Sequence, residues 1–133
     1  MGSDYSILIV DDNNLQRIFL KKIISKNTKI KTIDIAVDGI DALKKLQTND
    51  HYDFIITDLH MPNMNGLELI KEIQNDIRLK EIPLYIISAD SENELIVECL
   101  MSGAKEYFIK PMDIKAIMPI LSKEIGEDLA LKQ

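Results

Sequence analysis

Short apolar runs alternate along the chain with longer segments in which apolar residues recur every three or four positions. The five runs are YSILIVDD, IKTIDIAVD, YDFIITD, IPLYIISAD and KEYFIKP. Runs of this length predict strands, and the spacing between them predicts helices. The apolar face of the first predicted helix contains Leu15, Ile18, Phe19 and Ile23, with Lys22 at its edge. The face of the third contains Leu67, Ile70 and Ile73, and the face of the fourth contains Leu95, Cys99 and Met101.

Strands that alternate with helices predict βαβ units, and therefore an α/β fold with a doubly wound parallel sheet and right-handed crossovers. Helices on both faces of such a sheet explain why the runs before Asp11 and Asp58 are continuously apolar. Gly103 is placed to end the fourth helix. A last helix is expected after Pro111, and Pro119 predicts a kink within it.

Several of the predicted strands end in a polar residue. The third run passes directly from FIIT to Asp58, although a carboxylate at the end of a strand buried on both faces is costly unless it is paired. Asp11 and Asp12 follow the first run, Ser88 ends the fourth and Lys110 follows the fifth. Open parallel sheets bind their ligands at the carboxyl ends of the strands, so these side chains predict a site there.

The chemistry of these side chains suits a phosphoryl group and a metal ion. Three carboxylates at one edge repel one another unless a cation offsets their charge, and an all-oxygen set favours Mg²⁺. Lys110 offers a positive charge for a phosphate oxygen, and Ser88 offers a hydroxyl donor. Asp58 is the candidate nucleophile, because an aspartate can carry an acyl phosphate.

Each of these residues also has an ordinary structural explanation. A single Asp at a strand end is commonly a turn residue or a helix cap, and Asp38 in DGIDAL is interpreted in this way. Asp11 and Asp12 could cap the helix that follows them, and Lys110 alone could be a solvated lysine. The coincidence of an acid pair, an acid, a hydroxyl and a lysine at four strand ends favours the functional interpretation.

The length and composition agree with one globular domain. At 133 residues, of which 46% are hydrophobic and 29% charged, the chain is expected to fold as a single domain over residues 1–133. Its core is expected at about 6–125, with a tail or linker at 126–133.

Charge and cysteine content exclude some functions and favour a compartment. A net charge of −6 argues against a nucleic-acid-binding surface. The single Cys99 excludes an internal disulfide and suits a reducing compartment. No apolar run approaches the roughly 18 residues that a membrane span needs, so a cytoplasmic protein without a membrane partner is expected.

These motifs together resemble the receiver domain of two-component response regulators, from Ser6 to about Ile125. The similarity is carried by ILIVDDN, DFIITDLHMPNMNGLELI, the IIS that ends the fourth run, GAKEYFIKP and the spacing among them. The resemblance implies a flavodoxin-like fold: a five-stranded parallel sheet of order 2-1-3-4-5 flanked by five helices.

The resemblance also implies a phosphoacceptor and a set of Mg²⁺ ligands. Asp58 would accept the phosphoryl group. Asp12 would bind Mg²⁺ directly and Asp11 through water, with Asp58 and the backbone carbonyl of His60 as further ligands. Gly66 would allow the loop after MPNMN to lead into the third helix.

Four further roles follow from the same resemblance. Ser88 and Lys110 would hold the phosphoryl oxygens, and Ser88 would move toward them on phosphorylation. Tyr107 would then rotate inward and remodel the face of the fourth helix, fifth strand and fifth helix; the less favoured alternative is an ordinary aromatic of an edge strand. His60 and Asp90 would flank the route of the attacking water and tune the lifetime of the phosphate.

The function implied is a phosphotransfer signalling module that reacts on itself and is not a turnover enzyme. Its partners would be a histidine kinase or a histidine phosphotransfer protein, which the first helix would contact through Leu15, Arg17, Ile18 and Phe19, and a downstream protein target. The chain would be a stand-alone regulator or part of a larger protein such as a hybrid kinase, and a monomer or a phosphorylation-dependent dimer.

Three alternatives remain open from the sequence. A receiver-like interaction domain would keep the fold without phosphorylation, but the complete set of acids, hydroxyl and lysine argues against it. An aspartyl-phosphate phosphatase would need a second acid where His60 stands. A flavin-binding protein would share the topology, but VDDNNLQ is not a phosphate-binding loop rich in hydroxyls and glycine.

Overall fold

The computed structural model describes residues 5–27, 29–49, 51–110 and 124. The strands are β1 (Tyr5–Val10), β2 (Ile30–Ala36), β3 (Phe54–Thr57), β4 (Leu84–Ser88) and β5 (Glu106–Ile109), and the helices are α1 (Asn14–Ile24), α2 (Gly39–Thr48), α3 (Gly66–Gln74) and α4 (Asn93–Met101). All five predicted strands are confirmed. The predicted kink at Pro119, the rest of the last helix apart from Glu124 and the tail at 126–133 lie outside the described residues. Within the described part of the chain, no helix combines the length and apolarity of a membrane span.

The five strands form one parallel sheet of order β2-β1-β3-β4-β5, as the resemblance implied. The pairing aligns the ends of neighbouring strands: Val10 lies opposite Thr57, and Ser88 lies opposite Ile109. The carboxyl ends of β1, β3, β4 and β5 therefore meet at one edge of the sheet, and the residues that follow them are neighbours in space.

Two apolar clusters cover the faces of the sheet, as expected for strands buried on both sides. One cluster contains alternate residues of β1, β3 and β4 with α2, α3 and α4, and the other contains the intervening residues with α1. In the second cluster, Tyr85 packs edge-to-face on Phe54 at 6.1 Å between ring centres and stacks on Phe108 at 6.4 Å. The Tyr85 hydroxyl donates to Glu124, which also forms an ion pair with Lys105 at 3.2 Å.

The apolar faces of the helices differ from the prediction in part. Leu20 and Ile24 are the fully buried residues of α1, whereas Leu15, Ile18 and Phe19 are exposed, Leu15 to 76%. The face that the sequence pattern identifies therefore looks toward solvent over the first two turns of α1.

The helices on the other face of the sheet mix confirmed and wrong assignments. Ile70 and Ile73 are buried, as predicted for α3. The grouping of Met101 with Cys99 in α4 is wrong: Cys99 is fully buried and Met101 is 84% exposed. Two residues along a helix correspond to a rotation of about 200°, so the two side chains point to nearly opposite sides.

Short polar side chains cap the first three helices. Asn13 caps α1 by accepting from the Gln16 N–H at 2.9 Å, so neither Asp11 nor Asp12 has that role. Asp38 caps α2, as predicted. Gly103, with φ of 126°, ends α4 in a conformation that favours glycine, which confirms its predicted role.

Candidate functional site

Three carboxylates meet at the carboxyl-terminal edge of the sheet. Asp11, Asp12 and Asp58 each place one carboxylate oxygen within 4.8 Å of the other two. Asp11 is buried, Asp58 is half-buried and Asp12 is exposed, so the cluster opens toward solvent on one side. The oxygen ligands, the exposed side and the excess negative charge suit Mg²⁺, a hard ion that keeps several waters. The residues that the sequence predicts as carboxylate ligands are therefore together.

Asp11 is the most buried acid of the cluster, with 2% of its surface exposed. Its Oδ1 accepts from the Asn13 N–H at 2.8 Å, and its backbone carbonyl accepts from Arg17 Nη1 at 2.7 Å. Burial raises the pKa of Asp11, and the neighbouring charges of Asp58 and Asp12 also raise it, while the Asn13 N–H and Lys110 act in the opposite direction. A cation at this position would relieve the cost of the buried charge.

Asp58 is held by the backbone on both sides. Its N–H donates to the Val10 carbonyl at 2.8 Å, and its Oδ1 accepts from the Leu59 N–H at 2.7 Å. The start of α3 packs directly on its carbonyl: a Cβ added to Gly66 would lie 2.5 Å from the Asp58 carbonyl oxygen. Only glycine allows this approach, which places the first turn of α3 against the residue after β3.

Lys110 follows β5, and its side chain reaches two of the three carboxylates. Its Nζ lies 3.6 Å from Asp58 Oδ2 and 3.8 Å from Asp11 Oδ2. Its backbone N–H donates to the Ser88 carbonyl at 2.8 Å, which fixes the start of its side chain. The position beside two acids distinguishes Lys110 from a simple solvated lysine and leaves its ammonium close to the Asp58 carboxylate.

Asp90 joins the remaining predicted site residues. Its N–H donates to the Oγ of the buried Ser88 at 3.1 Å, and its backbone carbonyl accepts from the Tyr107 hydroxyl at 2.5 Å. His60 Nε2 lies 2.8 Å from Asp90 Oδ2. Hydrogen bonds lower the pKa of Asp90, with the Glu92 N–H contributing most and His60 next. Direct contact between His60 and Asp90 bridges the loops after β3 and β4.

The Tyr107 ring packs against the core cluster that contains α4 and is half-buried. Burial raises the pKa of its hydroxyl, which donates to the Asp90 carbonyl. The Tyr107 hydroxyl is thus bonded to the loop after β4 in this structure.

The sequence did not indicate that three further residues hold the site in place. Arg17 binds the carbonyl of Asp11, and Asn63 donates from Nδ2 to Asp38 Oδ2 at 2.7 Å. The Asn13 N–H binds the Asp11 carboxylate. Asn63 offered a signal, because asparagine tolerates a positive φ better than most residues and its φ is 67°.

Comparison with known proteins identifies the family. Residues 7–122 match the family described as "Response regulator receiver domain". The chain belongs to this family. CheY-3, a chemotaxis protein of Vibrio cholerae, is 33% identical over 123 residues, which cover 92% of this chain and 93% of that protein. The chemotaxis protein CheY1 of Helicobacter pylori is 32% identical over 120 residues, covering 90% of this receiver domain and 96% of the relative.

Solved structures agree with the receiver fold. The CheX–CheY–BeF3–Mg²⁺ complex from Borrelia burgdorferi matches with a TM-score of 0.82 and 28% identity, covering 90% of this chain and 87% of that chain. The receiver domain of a histidine kinase from Syntrophus aciditrophicus matches with a TM-score of 0.81 and 27% identity, covering 91% and 89%. The receiver domain is therefore a phosphoacceptor module of two-component signalling, and its acidic cluster is compatible with the Mg²⁺ that receiver domains bind.

Proposed function

We propose that Asp58 is the phosphoacceptor of this receiver domain, and that it takes its phosphoryl group from the phosphohistidine of a histidine kinase or histidine phosphotransfer protein. The observation that carries the proposal is the convergence of Asp11, Asp12 and Lys110 on Asp58. The two acids beside the nucleophile provide ligands for a cation. The Lys110 ammonium, 3.6 Å from Asp58 Oδ2, provides a positive charge for the anionic phosphoryl group.

The two oxygens of Asp58 have different surroundings. Oδ1 accepts the Leu59 N–H, so Oδ2, which faces Lys110, is the oxygen free to attack phosphorus. A bond forms between Oδ2 and phosphorus while the bond from phosphorus to the histidine nitrogen breaks, and the electron pair leaves with the imidazole. Lys110 then exchanges its contact with the carboxylate for one with a phosphoryl oxygen.

Mg²⁺ would be held by Asp11, Asp12, Asp58 and the backbone carbonyl of His60. When bound, it supplies positive charge that offsets the carboxylates and the transferring phosphoryl group. The buried Asp11 is oriented for this by the Asn13 N–H, which fixes Oδ1 and leaves Oδ2 directed toward Lys110.

Ser88 and Tyr107 would convert the chemistry into a change of surface. Ser88 accepts from the Asp90 N–H, and movement of its hydroxyl toward a phosphoryl oxygen, to which it would donate, would lengthen or break that bond. Tyr107 binds the Asp90 carbonyl, so displacement of the loop after β4 changes the position of Tyr107 and of the start of α4. The exposed outer side of α4, which carries Val97 and Met101, belongs to the surface that a downstream protein would recognise.

His60 and Asp90 would set how long the phosphoryl group survives. Their side chains meet across the two loops beside Asp58, with 2.8 Å between His60 Nε2 and Asp90 Oδ2. Side chains in that position restrict the approach of water to the acyl phosphate.

The partner that delivers the phosphoryl group would contact the early turns of α1. Leu15, Ile18 and Phe19 are exposed there, next to the acidic cluster. A similar protein, CheY of Borrelia burgdorferi, forms a complex with CheX, which supports protein partners for this chain too. The chain would act in the cytoplasm, on itself and without turnover, as a monomer or a phosphorylation-dependent dimer.

The test is the intact mass of the protein after incubation with a small acyl phosphate donor, with and without Mg²⁺. The wild type is expected to gain one phosphoryl group only when Mg²⁺ is present, and Asp58→Asn is expected to gain none. The control is Asp53→Asn, because Asp53 binds the Ser6 N–H at the opposite edge of the sheet. Uptake by Asp58→Asn equal to that of the wild type would refute the assignment, and no uptake by any variant would favour an interaction domain.

A further inference from the structure

The loop between β3 and α3 contains a strained turn. The Met64 N–H donates to the Pro62 carbonyl at 2.7 Å, which closes a three-residue turn with Asn63 at its centre. Asn63 has φ of 67°, in the left-handed region. Turns of this size with positive φ are strained, and such strain persists only where the surrounding structure holds it.

The N-terminus of α2 holds the turn through two hydrogen bonds. Asp38 Oδ2 accepts from Asn63 Nδ2 at 2.7 Å, and the Gly39 N–H donates to the Met64 carbonyl at 2.9 Å. The contact is close, because a Cβ added to Gly39 would lie 2.6 Å from Met64 Cγ and 2.8 Å from the Met64 carbonyl oxygen. The strained turn is therefore clamped from an element that contributes nothing else to the candidate site.

Asp38 performs two tasks with its two carboxylate oxygens. Oδ1 caps α2 by accepting from the Asp41 N–H at 2.8 Å, while Oδ2 is left for Asn63. The residue is 7% exposed, and both bonds lower the pKa of its carboxyl, Asn63 contributing most. Capping alone does not require the second oxygen, since a serine hydroxyl caps a helix equally well.

The clamped turn lies within the loop that forms the phosphorylation site. Asp58 and the His60 carbonyl precede it, and Gly66, packed on the Asp58 carbonyl, follows it. The loop thus begins directly after β3, its end packs back on Asp58, and its middle is bonded to α2. If the bond between Asp38 and Asn63 is lost, the strain at Asn63 can relax and the segment after Asp58 can change its conformation.

We infer that Asp38 is a positioning residue for the phosphorylation site, because its carboxylate fixes the strained turn at Asn63 in the loop that follows Asp58. This inference rests on the function proposed above. Asp38 touches neither the metal position nor the phosphoacceptor; it acts through the loop that presents the His60 carbonyl.

The first experiment is an Mg²⁺ titration of isotope-labelled protein followed by amide chemical shifts. In Asp38→Ser the helix cap is kept and the bond to Asn63 is lost. Its Mg²⁺ dissociation constant is expected to rise about three- to tenfold, less than the roughly 10- to 100-fold loss typical of groups that orient a metal ligand directly. With an acyl phosphate donor, the phosphorylation rate is expected to fall at low Mg²⁺ and to recover at saturating Mg²⁺.

The matched control is Asp53→Ser, which removes a carboxylate bonded to the Ser6 N–H at the far edge of the sheet. Its Mg²⁺ affinity is expected to equal that of the wild type. Asn63→Gly removes the same contact from the other side, and glycine adopts the positive φ, so this variant carries the test if Asp38→Ser does not fold. Because both changes remove one contact, the double variant is expected to bind Mg²⁺ as weakly as the weaker single variant.

Wild-type Mg²⁺ affinity in both Asp38→Ser and Asn63→Gly would overturn the inference, and so would effects that add in the double variant. These outcomes are separable from failure of the proposed function. A wild type that binds Mg²⁺ and takes up phosphoryl on Asp58 keeps that function whatever the Asp38 variants do. A wild type with no Mg²⁺-dependent uptake would refute the proposed function, and the inference with it.

Discussion

The two halves of the candidate site are built in different ways. In the first, here called the metal half, Asp11 and Asp58 are oriented by the main-chain N–H groups of Asn13 and Leu59, each one or two residues further along the chain. Local bonds of this kind form whenever the strand ends and the chain turns, so the metal half is fixed by the fold itself.

In the second, here called the switch half, two of the three contacts with Asp90 join segments that are distant in sequence. The Tyr107 hydroxyl reaches the Asp90 carbonyl from 17 residues away and His60 reaches the Asp90 side chain from 30 residues away, whereas the bond between the Asp90 N–H and Ser88 Oγ is local. Each contact is a single hydrogen bond that another acceptor can replace. A signalling site needs both properties: the nucleophile must stay in place while the groups that sense the phosphate exchange partners.

The largest expected effect comes from Asp11→Asn in the metal half. Asparagine keeps an oxygen for the Asn13 N–H but removes the charge. Mg²⁺ affinity is expected to fall by about 10- to 100-fold, measured by titration. In Mg²⁺-free buffer the free energy of unfolding is expected to rise, because the charged form of Asp11 is disfavoured by burial and by its acidic neighbours.

The pH dependence of that stability follows from the sign of the pKa shift. The pKa of Asp11 is raised above 3.8, so the folded state binds a proton more readily than the unfolded chain. As pH falls from neutral toward 3.8, the wild type therefore gains stability from Asp11 that Asp11→Asn does not gain. Denaturation at neutral pH and near pH 4 measures the difference, and a constant gap between the two proteins would contradict the role of Asp11.

A smaller effect is expected from Tyr107→Phe in the switch half. The change removes only the hydroxyl that donates to the Asp90 carbonyl, at an expected cost of about 1 kcal/mol in the free energy of unfolding. Mg²⁺ affinity is expected to remain at the wild-type value, since no ligand of the metal half is touched. Chemical denaturation and Mg²⁺ titration together check both statements, and a large loss of Mg²⁺ affinity would show that the two halves are not separate.

The smallest effect is expected from His60→Ala. The His60 side chain is largely exposed and contacts Asp90, so its contribution to stability is small. Removal opens the approach to the acyl phosphate, and the dephosphorylation rate is expected to rise by about two- to fivefold, in the range of weak exposed contacts. The decay of the phosphorylated mass over time measures the rate, with His51→Ala as the matched control. Equal lifetimes of wild type and His60→Ala would contradict the proposed role.

The fold was predictable because its signals are local. Each strand is a short apolar run, and the polar residue that ends it lies at the edge where parallel strands place their ligands. The sequence therefore predicts that Asp11, Asp58 and Lys110 lie close together. The cap at Asp38 and the helix end at Gly103 were recognisable for the same reason.

The remaining features depend on contacts that sequence spacing does not encode. The second bond of Asp38 requires Asn63, 25 residues away, in a turn whose shape depends on the packing of Met64. The contact of His60 with Asp90 depends on the separation of two loops. Met101 was misplaced because apolar residues also occupy the exposed outer side of α4.

The buried thiol of Cys99 offers a use beyond its place in the core. It is the only cysteine of the chain, and its side chain lies on the buried face of α4, where it is fully inaccessible. Burial also raises its pKa, so a thiol reagent reaches it only when α4 separates from the sheet. The rate of alkylation thus reports the frequency of that opening in the unmodified protein. Cys99 is therefore a native probe for the movement of α4 and needs no introduced label.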